Sequence, residues 1–184
     1  MAGTHTIHPS ETEKLLGCHI HQSLKWREHI QTDESSLIRQ LTSRLNALRK
    51  LAVNAPFKTR LMAANSVFIS VLSYLIPLWG ACEGYLIKAL QVIQNKAARC
   101  VTKVSWFTAT RQLLLQCGWM SIRQLISITQ CSPCTRSSRV AAGSFIIRGT
   151  EAYNSIPDNI KSTLSLPTVK KKLKTWILAN IPIE

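Results

Sequence analysis

The acidic and nucleophilic side chains set the first limits on chemistry. The 184-residue chain has two aspartates, Asp33 and Asp158. A centre that holds metal ions with three converging carboxylates is short of ligands unless glutamates supply them. All five histidines (His5, His8, His19, His21 and His29) lie within the first 29 residues. Serines are plentiful, but no acidic orienter can be placed beside a histidine to activate one. Gly143 and Gly149 match no phosphate-cradling glycine loop. Six cysteines occur, and Cys131-Ser-Pro-Cys134 is a lone CxxC. Zinc needs four ligands, and neither a second CxxC nor a histidine pair follows. The expectation is no catalytic residue, no metal site, no cofactor and no small-molecule substrate.

The basic side chains carry the stronger signal. Lys and Arg number 23 against 9 acids, for a net charge of +14. Residues 1–34 are net −2, residues 35–150 net +14 with Glu83 as their single acid, and residues 151–184 net +2. A solvated surface ordinarily mixes both signs, so the middle of the chain calls for a polyanion, nucleic acid or an anionic membrane surface. Hydrophobic residues make up 46% of the chain, enough for a core, and the 17% of charged residues argues against disorder.

Helical periodicity places those charges. Leu37, Leu41, Leu45, Leu48 and Ala52 recur at helical spacing after Asp33, near which a first helix is expected to begin. Arg39 and Lys50 point away from that stripe, while Arg44 and Arg49 flank it. Pro56 suits the first residue of a second helix. Residues 61–82 then contain no charge. That length would reach across a bilayer, yet Asn65, Ser66, Ser70, Ser73, Tyr74 and Pro77 are a heavy polar load, so a buried helix broken at Pro77 is the expectation. Over 85–104, Leu86, Leu90, Ile93, Ala97, Val101 and Val104 share one face. Lys88, Lys96, Arg99 and Lys103 share the opposite one, with Gln91 and Asn95 beside it. Short helices are expected over 108–116, stopped by Gly118, and after Ser121 as a cap, with Ile122, Leu125, Ile126 and Ile128 on the apolar side. The stretch 14–20 reads as a strand running to a turn at Leu24–Trp26. Residues 131–144 read as a linker and 144–148 as a short strand or loop. Asn154 and Pro157 read as a turn, and Thr168 caps a last amphipathic helix bearing Lys170, Lys171, Lys172 and Lys174.

In this order the segments resemble the C-terminal part of a non-LTR (LINE-type) retrotransposon reverse transcriptase. Lys14-Leu-Leu16-Gly17 looks like the K-[YF]-L-G segment that ends the palm, and Leu24-Lys-Trp26-Arg-Glu-His29-Ile30 like L-x-W-x-x-H-I. Trp79-Gly80 sits where a W-G pair closes the second thumb helix. The run from Leu90 through Gln91, Gln94, Asn95, Lys96 and Ala97 to Arg99 looks like L-Q-x-x-Q-N-K-A-x-R. Cys117-Gly118-Trp119-Met-Ser121-Ile122 looks like G-W-L-S-[VI]. Asn154-Ser-Ile-Pro157 and the run Val169 to Trp176 look like the family's W-N-x-L-P and F-K-x-x-L-K endings, with Tyr153 in place of the usual Trp. The similarity runs from about Glu13 onward. The linker near 129–143 is shorter than the family's usual spacing.

The resemblance implies a mainly α fold: a thumb-like helical bundle over 31–130, an end-of-palm, primer-grip-like β element over 1–30, and a linker with a C-terminal amphipathic helix over 131–184. It implies backbone contacts to an RNA–DNA hybrid or duplex. The carriers would be Lys88, Lys96, Arg99 and Lys103, extended by Arg39, Arg49, Lys50, Lys58 and Arg60. Leu16, Gly17, Trp26 and His29 would form the primer-grip-like set, although a packed Trp beside a backbone-bonded His is the plainer reading of the last two. The family's metal-binding Y-x-D-D turn has no counterpart here, so the expectation is a catalytically incomplete fragment that does not polymerise. Its residual role would be sequence-tolerant binding of template–primer. The alternatives are a protein spanning a membrane once at 61–82 and a decayed retroelement reading frame with no selected function. With a nucleic-acid ligand and a polar start without a leader, an intracellular location, nucleus or cytoplasm, is the expectation.

Overall fold

The computed structural model describes residues 10–131, 155–161 and 166–180. The expected linker, the 144–148 segment, Cys134, Gly143, Gly149, Tyr153 and Asn154 lie outside the described residues. The described chain is mainly helical with one two-stranded antiparallel sheet.

The expected strand over 14–20 is a hairpin. Strand β1 (Thr12–Leu15) pairs with β2 (Cys18–His21) in a register that opposes Leu15 to Cys18. Leu16 and Gly17 form the two-residue loop, with φ of 50° and 79°. A tight hairpin loop of this kind needs left-handed backbone at both positions. Gly17 adopts it freely, and Leu16 is carried along. The Tyr74 hydroxyl donates to the Leu16 carbonyl (3.0 Å), which ties the hairpin tip to the helices.

A π-helical turn, Glu28–Thr32, leads to α1 (Leu37–Ala52). The helix starts four residues beyond Asp33. The reason is local: the Asp33 carboxylate accepts from the Ser35 N–H (2.6 Å) and hydroxyl (2.8 Å), which fixes a turn instead of a first helical turn. Leu37, Leu41, Leu45, Leu48 and Ala52 are all buried, as their spacing predicts.

Pro56 is the N-cap residue of α2 (Phe57–Ala64), one position before the helix proper. A π turn, Asn65–Ile69, carries α2 into α3 (Ser70–Ser73). The charge-free run breaks at Tyr74–Leu75 rather than at Pro77. Tyr74 is extended and Leu75 is left-handed (φ 56°). Pro77 lies within the first turn of α4 (Ile76–Trp79). Having no N–H, it could not have continued the ladder from α3, so the chain breaks before it and restarts with proline where no donor is needed. The run is amphipathic: Phe68, Leu72, Ile76 and Trp79 are buried, while Asn65, Ser66, Ser70 and Ser73 are exposed. Among the described residues no helix is long and apolar enough to cross a membrane.

Helix α5 (Gly84–Thr102) is the hub, packed against α1, α2, α6 (Thr110–Cys117) and α7 (Ile122–Cys131). Leu86, Leu90, Ile93, Ala97 and Val101 are buried on it, with Val104 partly so. It ends two residues short of the expected boundary, at Lys103, whose φ of 55° closes the helix. Gly118 (φ 65°) stops α6, and the Trp119 N–H donates back to the Leu114 carbonyl (2.8 Å). Ser121 caps α7 reciprocally: its hydroxyl accepts from the Gln124 N–H (3.3 Å) and its own N–H donates to Gln124 Oε1 (3.0 Å).

Two short segments complete the described chain, α8 (Asp158–Lys161) and α9 (Leu166–Asn180). Helix α9 begins two residues before Thr168, the expected cap. Ile156, Ile160, Leu173 and Ile177 form a small second core, joined by Ile128 of α7, Val169 and Trp176.

Gly80 has no room for a side chain. A Cβ there would lie 2.6 Å from the Ile76 carbonyl oxygen and 3.1 Å from the Ile126 side chain. Gly80→Ala is expected to cost about 1–3 kcal/mol through overpacking against backbone. A urea unfolding midpoint unchanged from the parent would contradict that packing.

Candidate nucleic-acid interface

The C-terminal ends of α1 and α5 bring four of the predicted cations to one open groove. Arg49 stands on one side, and Lys96, Arg99 and Lys103 on the other. Ala52, Val53, Cys100 and Val104 form its floor, and Trp106 completes the lining. Its volume is about 470 Å³. No acidic side chain lines it. The helical spacing of Lys96, Arg99 and Lys103 explains their shared side, but Arg49 joins them only because α1 and α5 pack together.

Each cation is held differently. Lys96 is exposed. Lys103 Nζ donates to the Val53 carbonyl (3.3 Å) at the end of α1. Arg49 reaches Asn46 Oδ1 (3.2 Å). The Arg99 guanidinium lies 4.6 Å from the centre of the Trp106 ring, and its Nη2 donates to the Trp106 carbonyl (3.4 Å). Arg99 Nε is buried without an acceptor among the described residues. Burial pushes the Cys100 thiol upward, against the opposing pull of Arg49, Arg60 and Lys103. Burial also pushes Cys18 up, and Cys117 up to about 11. Such thiols stay protonated and are poor nucleophiles.

The remaining candidates are dispersed. Lys88 is exposed nearer the start of α5 and lies outside the groove. Arg39 and Lys50 are exposed on α1, and Lys58 is exposed in the first turn of α2. Arg60 is a correction. It is buried, and its guanidinium donates to the Val101 carbonyl (2.7 Å) and the Ala55 carbonyl (2.7 Å). It binds open carbonyls at a helix end instead of extending a surface track. Its neighbours in sequence gave no hint, because the partners lie 41 and 5 residues away.

Gln91 and Asn95 also serve the fold. Gln91 Oε1 accepts from the Ile122 N–H (2.9 Å), and its Nε2 donates to Gln94 (2.8 Å) and Asn95 (2.9 Å). Buried Gln94 donates to the Met120 carbonyl (2.8 Å). Asn95 reaches Thr110 Oγ1 (3.3 Å). This amide network holds the 119–122 turn and the start of α6 on α5. Trp119, buried as expected of a core residue, donates its Nε1–H to Asn65 Oδ1 (2.7 Å).

The primer-grip-like set splits as well. Leu16 and Gly17 are exposed at the hairpin loop. Trp26 packs against the main core with its ring edge to His29 at 6.4 Å. His29 is buried, accepting at Nδ1 from the His19 N–H (3.5 Å). His19 Nε2 in turn meets Ser35 Oγ (2.7 Å) and Asp33 (3.5 Å). Among the described residues no cluster of three or more His, Cys, Asp or Glu could hold a metal ion. Comparison with protein-family models, curated proteins and solved structures gave no match.

Two outcomes follow from this wiring. Arg60→Met is expected to cost about 2–4 kcal/mol, because it strips a buried carbonyl and a part-buried one of their donor. Lys58→Met, on an exposed face, should stay within about 0.5 kcal/mol. Equal denaturant midpoints for the two variants would refute the buried role. The second outcome concerns pH. Burial, helped by His19 and opposed by Asp33, lowers the His29 pKa from 6.5 to about 4. The unfolded chain therefore takes up that proton first, and stability falls as pH drops from about 6.5 to about 4. The loss is at most about 3 kcal/mol. His29→Gln should flatten this limb of the stability profile, measured by urea titration at a series of pH values.

Proposed function

We propose that the chain binds nucleic acid through the phosphate backbone, as a catalytically incomplete, thumb-like part of a LINE-type reverse transcriptase. The observation that supports this reading is the α1–α5 groove, where Arg49, Lys96, Arg99 and Lys103 meet without an acidic neighbour. A plainer reading is that the cations neutralise two helix C-termini. Magnitudes favour a ligand. Each helix end carries roughly half a negative charge, so two ends balance about one cation. Buried Arg60 and exposed Lys103 already bond carbonyls there. Arg49, Lys96 and Arg99 are in excess of that demand.

Backbone contacts carry no base readout, so affinity should vary little among sequences. The charged side chains of the groove are lysines and arginines rather than the metal-binding carboxylates that polymerisation needs. The role is to hold template–primer, and the protein is placed where nucleic acid is, in nucleus or cytoplasm.

Fluorescence anisotropy of a labelled RNA–DNA hybrid against salt tests the reading. Neutralising three phosphates gives a slope of log K against log salt of about −2.7, and replacing Arg49 and Lys96 together by Gln should reduce its magnitude by about 2. Primer extension with Mg²⁺ or Mn²⁺ should yield no incorporation above a buffer control. A folded chain that stays unbound at low salt would refute the binding role.

A further inference from the structure

The turn that follows α5 exposes two adjacent aromatic rings beside the cations. The Thr108 N–H donates to the Ser105 carbonyl (3.1 Å), which closes a turn with Trp106 and Phe107 at its centre. Trp106 is 66% exposed and Phe107 94% exposed. Two neighbouring rings left in water form an exposed apolar patch of the kind a partner covers. Arg99 holds Trp106 from one side, by its guanidinium on the ring and its Nη2 on the carbonyl. The indole is therefore pre-set and most of its surface remains open.

A positively charged groove leading to exposed aromatic rings is the arrangement that holds single-stranded nucleic acid: cations follow the backbone and rings stack on unpaired bases whatever their identity. We propose that the Ser105–Thr108 turn is a stacking platform for unpaired bases, so that the preferred ligand is a duplex with a single-stranded extension. The duplex backbone meets the groove, and the first unpaired base stacks on Trp106 or Phe107. An anionic membrane would also attract cations and aromatic rings. The vesicle arm of the test separates that ligand from nucleic acid. This inference rests on the backbone-binding reading above.

The test compares a blunt hairpin duplex with the same duplex carrying a short single-stranded extension, both fluorescently labelled, and adds phosphatidylserine vesicles as a third probe. The parent chain should bind the extended probe about tenfold more tightly than the blunt one, with quenching of tryptophan emission. Phe107→Ala, which lies outside the groove lining, should weaken this preference while keeping the affinity for the blunt duplex; the double variant W106A/F107A should abolish the preference, and Trp106→Phe should retain most of it. Because Phe107 is almost fully exposed, the thermal melt of Phe107→Ala should match that of the parent. Equal binding of the two probes by the parent, or a preference that survives in the double variant, overturns the platform and leaves backbone binding intact. Vesicle binding that depends on the two rings, without any preference for the extension, also overturns it. Absence of binding to every nucleic-acid probe at low salt removes both readings.

Discussion

One constraint shapes this protein: between residues 35 and 150 there is a single acidic side chain, Glu83, for 15 basic ones. Cations in the helical bundle therefore have few carboxylates to pair with. Each must either reach water or bind a neutral acceptor, since a buried charge without partners is too costly to keep. Arg60 takes the second course by bonding the Val101 and Ala55 carbonyls. Lys103 does so in part at Val53. Lys88, Lys96, Arg39, Lys50 and Lys58 take the first course. Neutral amides then do the polar work inside: Gln91, Gln94 and Asn95 join α5 to the following turn and helix without using any charge.

The same constraint produces the groove. Helices α1 and α5 bury their apolar stripes against each other and bring their C-terminal ends together. The residues that flank those stripes are basic and mutually repulsive. Packing of the core holds them near one another, at an electrostatic cost that a bound polyanion would relieve. Trp106 reduces the cost locally by giving Arg99 a π face.

Much of this organisation is legible in the sequence, and the reason is periodicity. The buried positions of α1 and α5 follow from apolar residues at helical spacing, because that spacing places them on one side of a helix whatever it packs against. The Ser121 cap and the Gly118 stop are equally local, since each needs only atoms a few residues away. The misjudged features depend on particular residues. Asp33 was expected to start a helix, but its carboxylate has a closer partner in Ser35. The break expected at Pro77 falls at Tyr74–Leu75, because a proline forbids the hydrogen bond to the turn before it and is itself welcome in a new first turn. The 14–20 stretch folds back at Leu16–Gly17, a loop signalled only by one glycine.

The sequence by itself determined that the protein is mainly helical, that its bundle is strongly basic, and that Lys88, Lys96, Arg99 and Lys103 share one face of one helix. These are consequences of composition and of 3.6 residues per turn. Only the tertiary structure decided which of those cations meet. Arg49 enters the groove and Arg60 leaves the surface, although both are basic residues near the ends of helices. Lys88 stays apart from Lys96 along the same face. Trp106 acquires its place against Arg99 from the left-handed end of α5 at Lys103 and the turn that follows. Whether a charge faces water, a carbonyl or a ring depends on what the opposing helix brings to it, and side-chain spacing within one helix carries no record of its neighbour.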